Sequence, residues 1–240
     1  MRRTRKQTIC TTGIFHKIWR GHDLGPVLAD DTDKAAYLQQ LGDTLTDDLG
    51  ERVQWHSYCL MRTHPHETGR VCRDADGEIE QSIDALGNWM RNAHSRFAQQ
   101  YNRSHDRRGA VACERPKTKE VDDEEGLLTV MFYGDANPVR AGIVRHPRSY
   151  RWSSYQYYAH GKRDGVSQHL TPPPAYQALG RTARERQRKY REQCDAYLRA
   201  AGLLDDAPEI EVEGRDPSEA GVVDGSWGRG LEESAPPRAG

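Results

Sequence analysis

Long apolar runs are absent from this 240-residue chain: nowhere do about eighteen apolar residues follow one another, so no transmembrane helix is expected. Apolar residues are scarce throughout, at 35% against 30% charged, enough for one core with appendages but not for two. The N-terminus, Met1-Arg2-Arg3-Thr4-Arg5-Lys6, is basic but has no useful apolar stretch behind it, which argues against a secretory signal. Cysteine is sparse and odd in number: Cys10, Cys59, Cys72, Cys113 and Cys194 stand apart, with no Cys-x-x-Cys among them. That pattern excludes a disulfide framework or a zinc knuckle and suits reduced thiols in a cytoplasmic protein. No internal repeat is present.

Acidic residues are missing from the first twenty positions, which carry Arg2, Arg3, Arg5, Lys6, Lys17 and Arg20. A net charge of −1 hides this asymmetry. Residues 205–240 hold ten acids and three bases, net −7, whereas residues 1–204 hold 26 acids and 32 bases, net +6. A second basic stretch runs through Arg91, Arg96, Arg103, Arg107, Arg108, Arg115, Lys117 and Lys119. Basic stripes of this kind suit a nucleic-acid backbone track as well as an ordinary solvated surface.

The periodicities predict the order β-α-β-β-α-β-α. A first strand is expected over 8–19. A helix over 31–49, capped by Asp30 or Asp31, carries Leu38, Leu41, Leu45 and Leu49 on one stripe. Strands follow at 52–61, where Val53, Trp55, Ser57 and Cys59 alternate with Gln54, His56, Tyr58 and Leu60, and at 64–72. A second long helix is marked by Ile79, Ile83, Leu86, Met90, Ala93 and Phe97, and 111–121 is extended. Asp122 and Glu125 have capping-box spacing at the start of a third helix, which Pro138 should end at about Asn137. This order suits an α+β fold, a ferredoxin-like split β-α-β antiparallel sheet with helices on one face and added C-terminal helices. We expect one domain over 1–165, a Pro-rich linker and an isolated charged helix over 166–203, and an acidic disordered tail over 204–240.

Two stretches could carry chemistry. In an extended strand His64 and His66, either side of Pro65, would present two imidazoles on one face, able to share a metal. On a helix Tyr133 and Asn137, four apart, would also project together. From spacing alone the histidine pair better suits a solvated strand end, and Tyr133 a half-buried core ring.

Several blocks, in order, resemble the single-tyrosine transposases that carry a His-hydrophobe-His strand, especially the branch associated with repetitive extragenic palindromes (REP). These are Phe15-His16-Lys17-Ile18-Trp19-Arg20-Gly21, Asp30-Asp31, Trp55-His56-Ser57-Tyr58-Cys59-Leu60-Met61 leading to His64 and His66, then Arg115 and Lys117. Asn137-Pro138-Val139-Arg140-Ala141-Gly142 and Tyr150-Arg151-Trp152-Ser153-Ser154-Tyr155 follow and are the most specific. The resemblance spans Phe15 to Tyr158 and implies the same ferredoxin-like fold. It also implies that His64 and His66, with Asn137 as third ligand, hold Mg2+ or Mn2+. Tyr133 would then attack a scissile phosphate of single-stranded or hairpin DNA to give a 5′-phosphotyrosine. Arg20, Arg115, Lys117 and Arg140 are the candidate DNA contacts, in a monomer or homodimer. Trp19, Trp55, Trp89, Tyr101 and Trp152 could stack on bases, although a core role suits them better. The chain departs from the family pattern at Arg62-Thr63, at Pro65, at Glu67 (a possible metal or outer ligand), at Pro116 and at Gly134. A hairpin-binding protein without chemistry is therefore the alternative reading.

Overall fold

The computed structural model describes residues 4–9, 11–21, 25–112 and 115–205, and the acidic tail from residue 206 lies outside that set. In chain order the elements are α1 (Arg5–Thr8), β1 (Ile14–Ile18), α2 (Asp31–Thr44), α3 (Asp47–Gly50), β2 (Val53–Leu60) and β3 (Pro65–Val71). They continue with α4 (Glu80–Ser104), β4 (Lys117–Glu120), α5 (Glu124–Arg140), α6 (Tyr155–His160), α7 (Pro174–Ala178) and α8 (Ala183–Ala200). The four strands form one sheet in the order β2-β3-β1-β4, every neighbouring pair antiparallel. That is the split β-α-β arrangement: β3 lies between β1 and β2, and β1 between β3 and β4.

Several boundaries move from their expected places, each for a local reason. The first strand begins at Ile14, not Thr8, because Gly13 turns the chain at φ +73 and a Cβ there would meet the Val71 carbonyl at 2.6 Å. The amides of Thr11, Thr12 and Gly13 converge instead on one oxygen of Glu120. The expected helix over 31–49 divides after Thr44, whose hydroxyl bonds back to the Gln40 carbonyl while Leu45 leaves helical geometry (φ −88, ψ 80). Asp30 does cap this helix, accepting from the Asp33 amide at 2.8 Å. On the third helix Asp123, not Asp122, is the cap, accepting from the Gly126 amide at 2.7 Å. Pro138 does not stop that helix, which runs on to Arg140. Pro138 removes one rung, to the Gly134 carbonyl; the neighbouring Asn137 side chain donates to the Tyr133 carbonyl at 2.9 Å, and Gly142 at φ +69 ends the element.

In β2 the alternation breaks. Trp55 pairs with Gly69 and Ser57 with Thr68, so a bulge at His56 places Trp55 and Ser57 on opposite faces. The face of β1 and β3 that carries Lys17 and Glu67 packs on α2 and α4: Lys17 Nζ reaches Met90 Sδ, Tyr37 bonds Glu67, and Trp55 meets Trp89. The other face, carrying His16 and His66, lies under α5. The core is therefore two layers, one on each side of the sheet. The edge of β2 is covered by later chain, through Leu60 N–H to Trp152 O, Ser154 N–H to Tyr58 O and Thr171 N–H to Trp55 O. The Trp152-Ser153-Ser154-Tyr155 block is thus structural.

The charged helix read as isolated is docked. Thr182 and Glu185 form its capping box, and Tyr190, Cys194 and Leu198 are wholly buried. Tyr190 packs on Phe132, Tyr155, Tyr158 and Tyr176 and donates to Asp135 Oδ2 at 2.8 Å. Its 3.6-residue stripe is narrow but aromatic, and an aromatic payload compensates for a polar average. No helix among the described residues is long and apolar enough to cross a membrane.

Candidate active site

The β2–β3 hairpin closes with the Met61 amide on the His64 carbonyl at 3.0 Å. His64 is the last residue of that turn, and Pro65 is the first of β3. A proline is tolerated at a strand's first position, so the departure at Pro65 costs the central strand nothing in its interior. His66 pairs with Ile18 on β1 and Cys59 on β2, which fixes it in the middle of the sheet. The two imidazoles meet with ring centroids 4.8 Å apart.

They do not stand on an exposed face, as the sequence suggested. His64 is 8% and His66 2% exposed, and α5 crosses this face with Tyr133 set against His66. The Tyr133 ring centroid lies 5.6 Å from that of His66, edge to face, and its own exposure is intermediate. Asn137, one helical turn on, is 2% exposed, and its amide nitrogen bonds the Tyr133 carbonyl. Any ligand role for Asn137 therefore falls to its Oδ1.

Sequence reasoning missed His16. Its Nε2 lies 3.1 Å from His66 Nδ1, with the two ring planes only 12° apart, and its ring centroid is 6.1 Å from that of Tyr133. The opening block contained this residue. The signal that singles it out is the β1–β3 register, Ile18 opposite His66, which makes His16 the diagonal neighbour.

Burial sets the protonation states. It lowers His64 to about 4, aided by the field of Arg20, and lowers His16 to about 4, aided by Lys119 and His64. His66 is held well below the usual imidazole range by burial and by His64, His16 and Arg20. All three are neutral at pH 7 and offer lone pairs. Burial raises the Tyr133 phenol to about 12, and Arg140 opposes that rise from a guanidinium 5.6 Å from the ring centroid. Thr63 Oγ1 lies 2.8 Å from His64 Nδ1, which assigns any metal role of His64 to Nε2. His66 Nε2 is buried with no hydrogen-bond partner. An orphaned imidazole nitrogen beside a second neutral imidazole fits a divalent cation.

Glu67 is not part of this group. It faces the opposite side of the sheet, in an ion pair with Lys17 and accepting from Tyr37. The basic residues divide likewise. Lys117 and Lys119 pair with Ile18 and His16 and so share the histidine face, whereas Arg91, Arg96 and Arg103 are exposed on α4, across the sheet. Arg20 and Arg140 act on the site through their fields, and Arg115 is exposed before β4. Trp19, Trp55, Trp89 and Trp152 are between 0% and 8% exposed and belong to the core, while Tyr101 packs on Phe97 and His105. Elsewhere Asp30, Asp33 and His105 bring ligand atoms within 4.8 Å of one another. Asp30 is a helix cap there, and His105 Nε2 bonds both Asp33 oxygens at 3.0 Å, so the set is satisfied internally.

No family model and no curated protein matches the chain. Among solved structures, one similar to it is that of a REP-associated tyrosine transposase bound to a REP hairpin. The two share 14% identity over 73% of this chain and 96% of that one, with a TM-score of 0.47.

Proposed function

We propose that the chain nicks single-stranded DNA and transfers the strand through a 5′-phosphotyrosine on Tyr133, acting on hairpin DNA with Mg2+ or Mn2+. The observation that carries this reading is that a hairpin and a helix distant in sequence bring Tyr133 against His66, whose ring in turn meets that of His64. His64 Nε2, His66 Nε2 and Asn137 Oδ1 would hold the metal, which when bound neutralises charge on the phosphoryl oxygens.

The chain's own residues do the rest. Tyr133 Oη attacks phosphorus: a new O–P bond forms, the bond to the 3′ oxygen breaks, the phenolic proton is lost and the leaving oxygen takes one up. A later 3′-hydroxyl reverses these steps and restores the phenol. The phenol is protonated at pH 7 and burial raises it further, so Arg140 serves by favouring the phenolate. Lys117, Lys119 and Arg20 form the cationic rim for the DNA backbone, and Arg115 extends it.

The test is incubation with labelled hairpin DNA and Mn2+. Wild type should give an adduct that survives a denaturing gel, and Tyr133→Phe should give none while binding the hairpin within a few-fold. A mobility shift with no adduct in wild type would instead identify a hairpin-binding protein without chemistry.

A further inference from the structure

We infer that His16 is a positioning residue that selects the metal-binding tautomer of His66; the inference rests on the metal site proposed above. Between His16 Nε2 and His66 Nδ1, 3.1 Å apart, one proton is shared. If His16 donated it, His66 would carry its own proton on Nε2, and that buried N–H would have no acceptor. If His66 Nδ1–H donates it, His66 Nε2 is a lone pair in a dry pocket, the state a cation requires. A metal-ligating histidine ordinarily has its second nitrogen donating to a fixed acceptor, and here the acceptor is an imidazole from the neighbouring strand.

His16 is held for that task. It is 7% exposed, nearly parallel to the His66 ring, and the Tyr133 ring stands edge-on to both. It does not act as a third ligand. Its Nε2 points at His66, and among the described residues the three imidazoles do not bring one nitrogen each within 4.8 Å of one another. The next residue on each strand, Lys17 and Glu67, forms an ion pair through the other face, so the register that joins His16 to His66 is fixed from below.

Two measurements on the full chain decide this. The first is the 15N-detected tautomer of His66 in the metal-free protein, which needs no variant. A proton on Nδ1 is expected, and a proton on Nε2 overturns the inference. The second is Mn2+ affinity by electron paramagnetic resonance. His16→Leu, which removes the acceptor, should weaken binding by about 10–100-fold, the usual effect of losing such a partner. His16→Gln, whose carbonyl can accept the same hydrogen, should recover most of that loss. Unchanged affinity in His16→Leu overturns the inference, and so does an equal loss in His16→Gln with the fold intact by circular dichroism. Wild-type protein that binds no Mn2+, or binds it equally well as His64→Ala, overturns the metal site itself, a result distinguishable because the His66 tautomer is read without metal.

Discussion

Replacing Lys17 with methionine should destabilise the protein more than most single substitutions, because it strands a charge beneath the candidate active site. Lys17 and Glu67 are directly opposite on β1 and β3, 1% and 2% exposed, and pair through the face of the sheet covered by α2 and α4. Tyr37 also donates to Glu67, and Trp19 Nε1 donates to Tyr37 at 2.8 Å. In Lys17→Met the carboxylate keeps only the tyrosine, and removing one partner of a buried pair costs roughly 3–5 kcal/mol. At about 2–4 °C per kcal/mol for a domain of this size, the melting temperature should fall by roughly 10 °C. The double variant Lys17→Met, Glu67→Leu removes both charges, and Tyr37 can then turn its hydrogen to His94 Nε2, 3.2 Å away. It should return to within about 1–2 kcal/mol of wild type, since apolar replacement of a whole pair is often neutral. Urea and thermal unfolding of the three proteins at one pH measures this. A single variant within about 1 kcal/mol of wild type, or a double variant no better than the single, would refute the assignment of this pair as a mutually dependent buried unit.

Asp135, buried between α5 and α8, is raised by that burial from 3.8 to about 7 although Tyr190 donates to it. A raised carboxyl contributes stability that is whole below about pH 4 and is lost as pH rises through 7, so Asp135→Asn should flatten the fall in melting temperature between pH 5 and pH 8; an unchanged slope would remove Asp135 as its cause. Tyr133, raised to about 12, should make adduct formation faster with each step from pH 6 to pH 9, measured by single-turnover gels, and a rate independent of pH would show that phenol deprotonation does not limit it. Deleting residues 205–240 removes a net −7 and should tighten binding to non-specific DNA at low salt; a gain that persists at 1 M salt, where screening acts within about 3 Å, would not be electrostatic.

The parts of this fold legible in the sequence are those where one local signal decides. Asp30 before a leucine stripe gave a capped helix, and the order of periodicities gave the split β-α-β sheet. His64, His66, Tyr133 and Asn137 were singled out by their resemblance to the transposase blocks, since spacing alone better suited a solvated strand end and a core ring. What was not legible depended on register or on a neighbour. His16 joins the site only because Ile18 pairs with His66, a fact no local period contains. Glu67 leaves the site for the same reason, drawn to Lys17 on the far face. Pro138 fails to end α5 because it removes only its own rung and the Ala141 amide still reaches the Asn137 carbonyl at 2.9 Å, and α8 docks because Tyr190 finds a tyrosine cluster drawn from α6 and α7.

Tyr133, set against His66, is the proposed nucleophile. The most direct test is to form the adduct with Mn2+ and hairpin DNA, digest the protein and locate the modified residue by mass spectrometry. The account predicts a nucleotide 5′-phosphate on the peptide containing Tyr133, absent when His64 and His66 are both alanine. A phosphate on any other of the 11 tyrosines, or an adduct that forms without the two histidines, would contradict it.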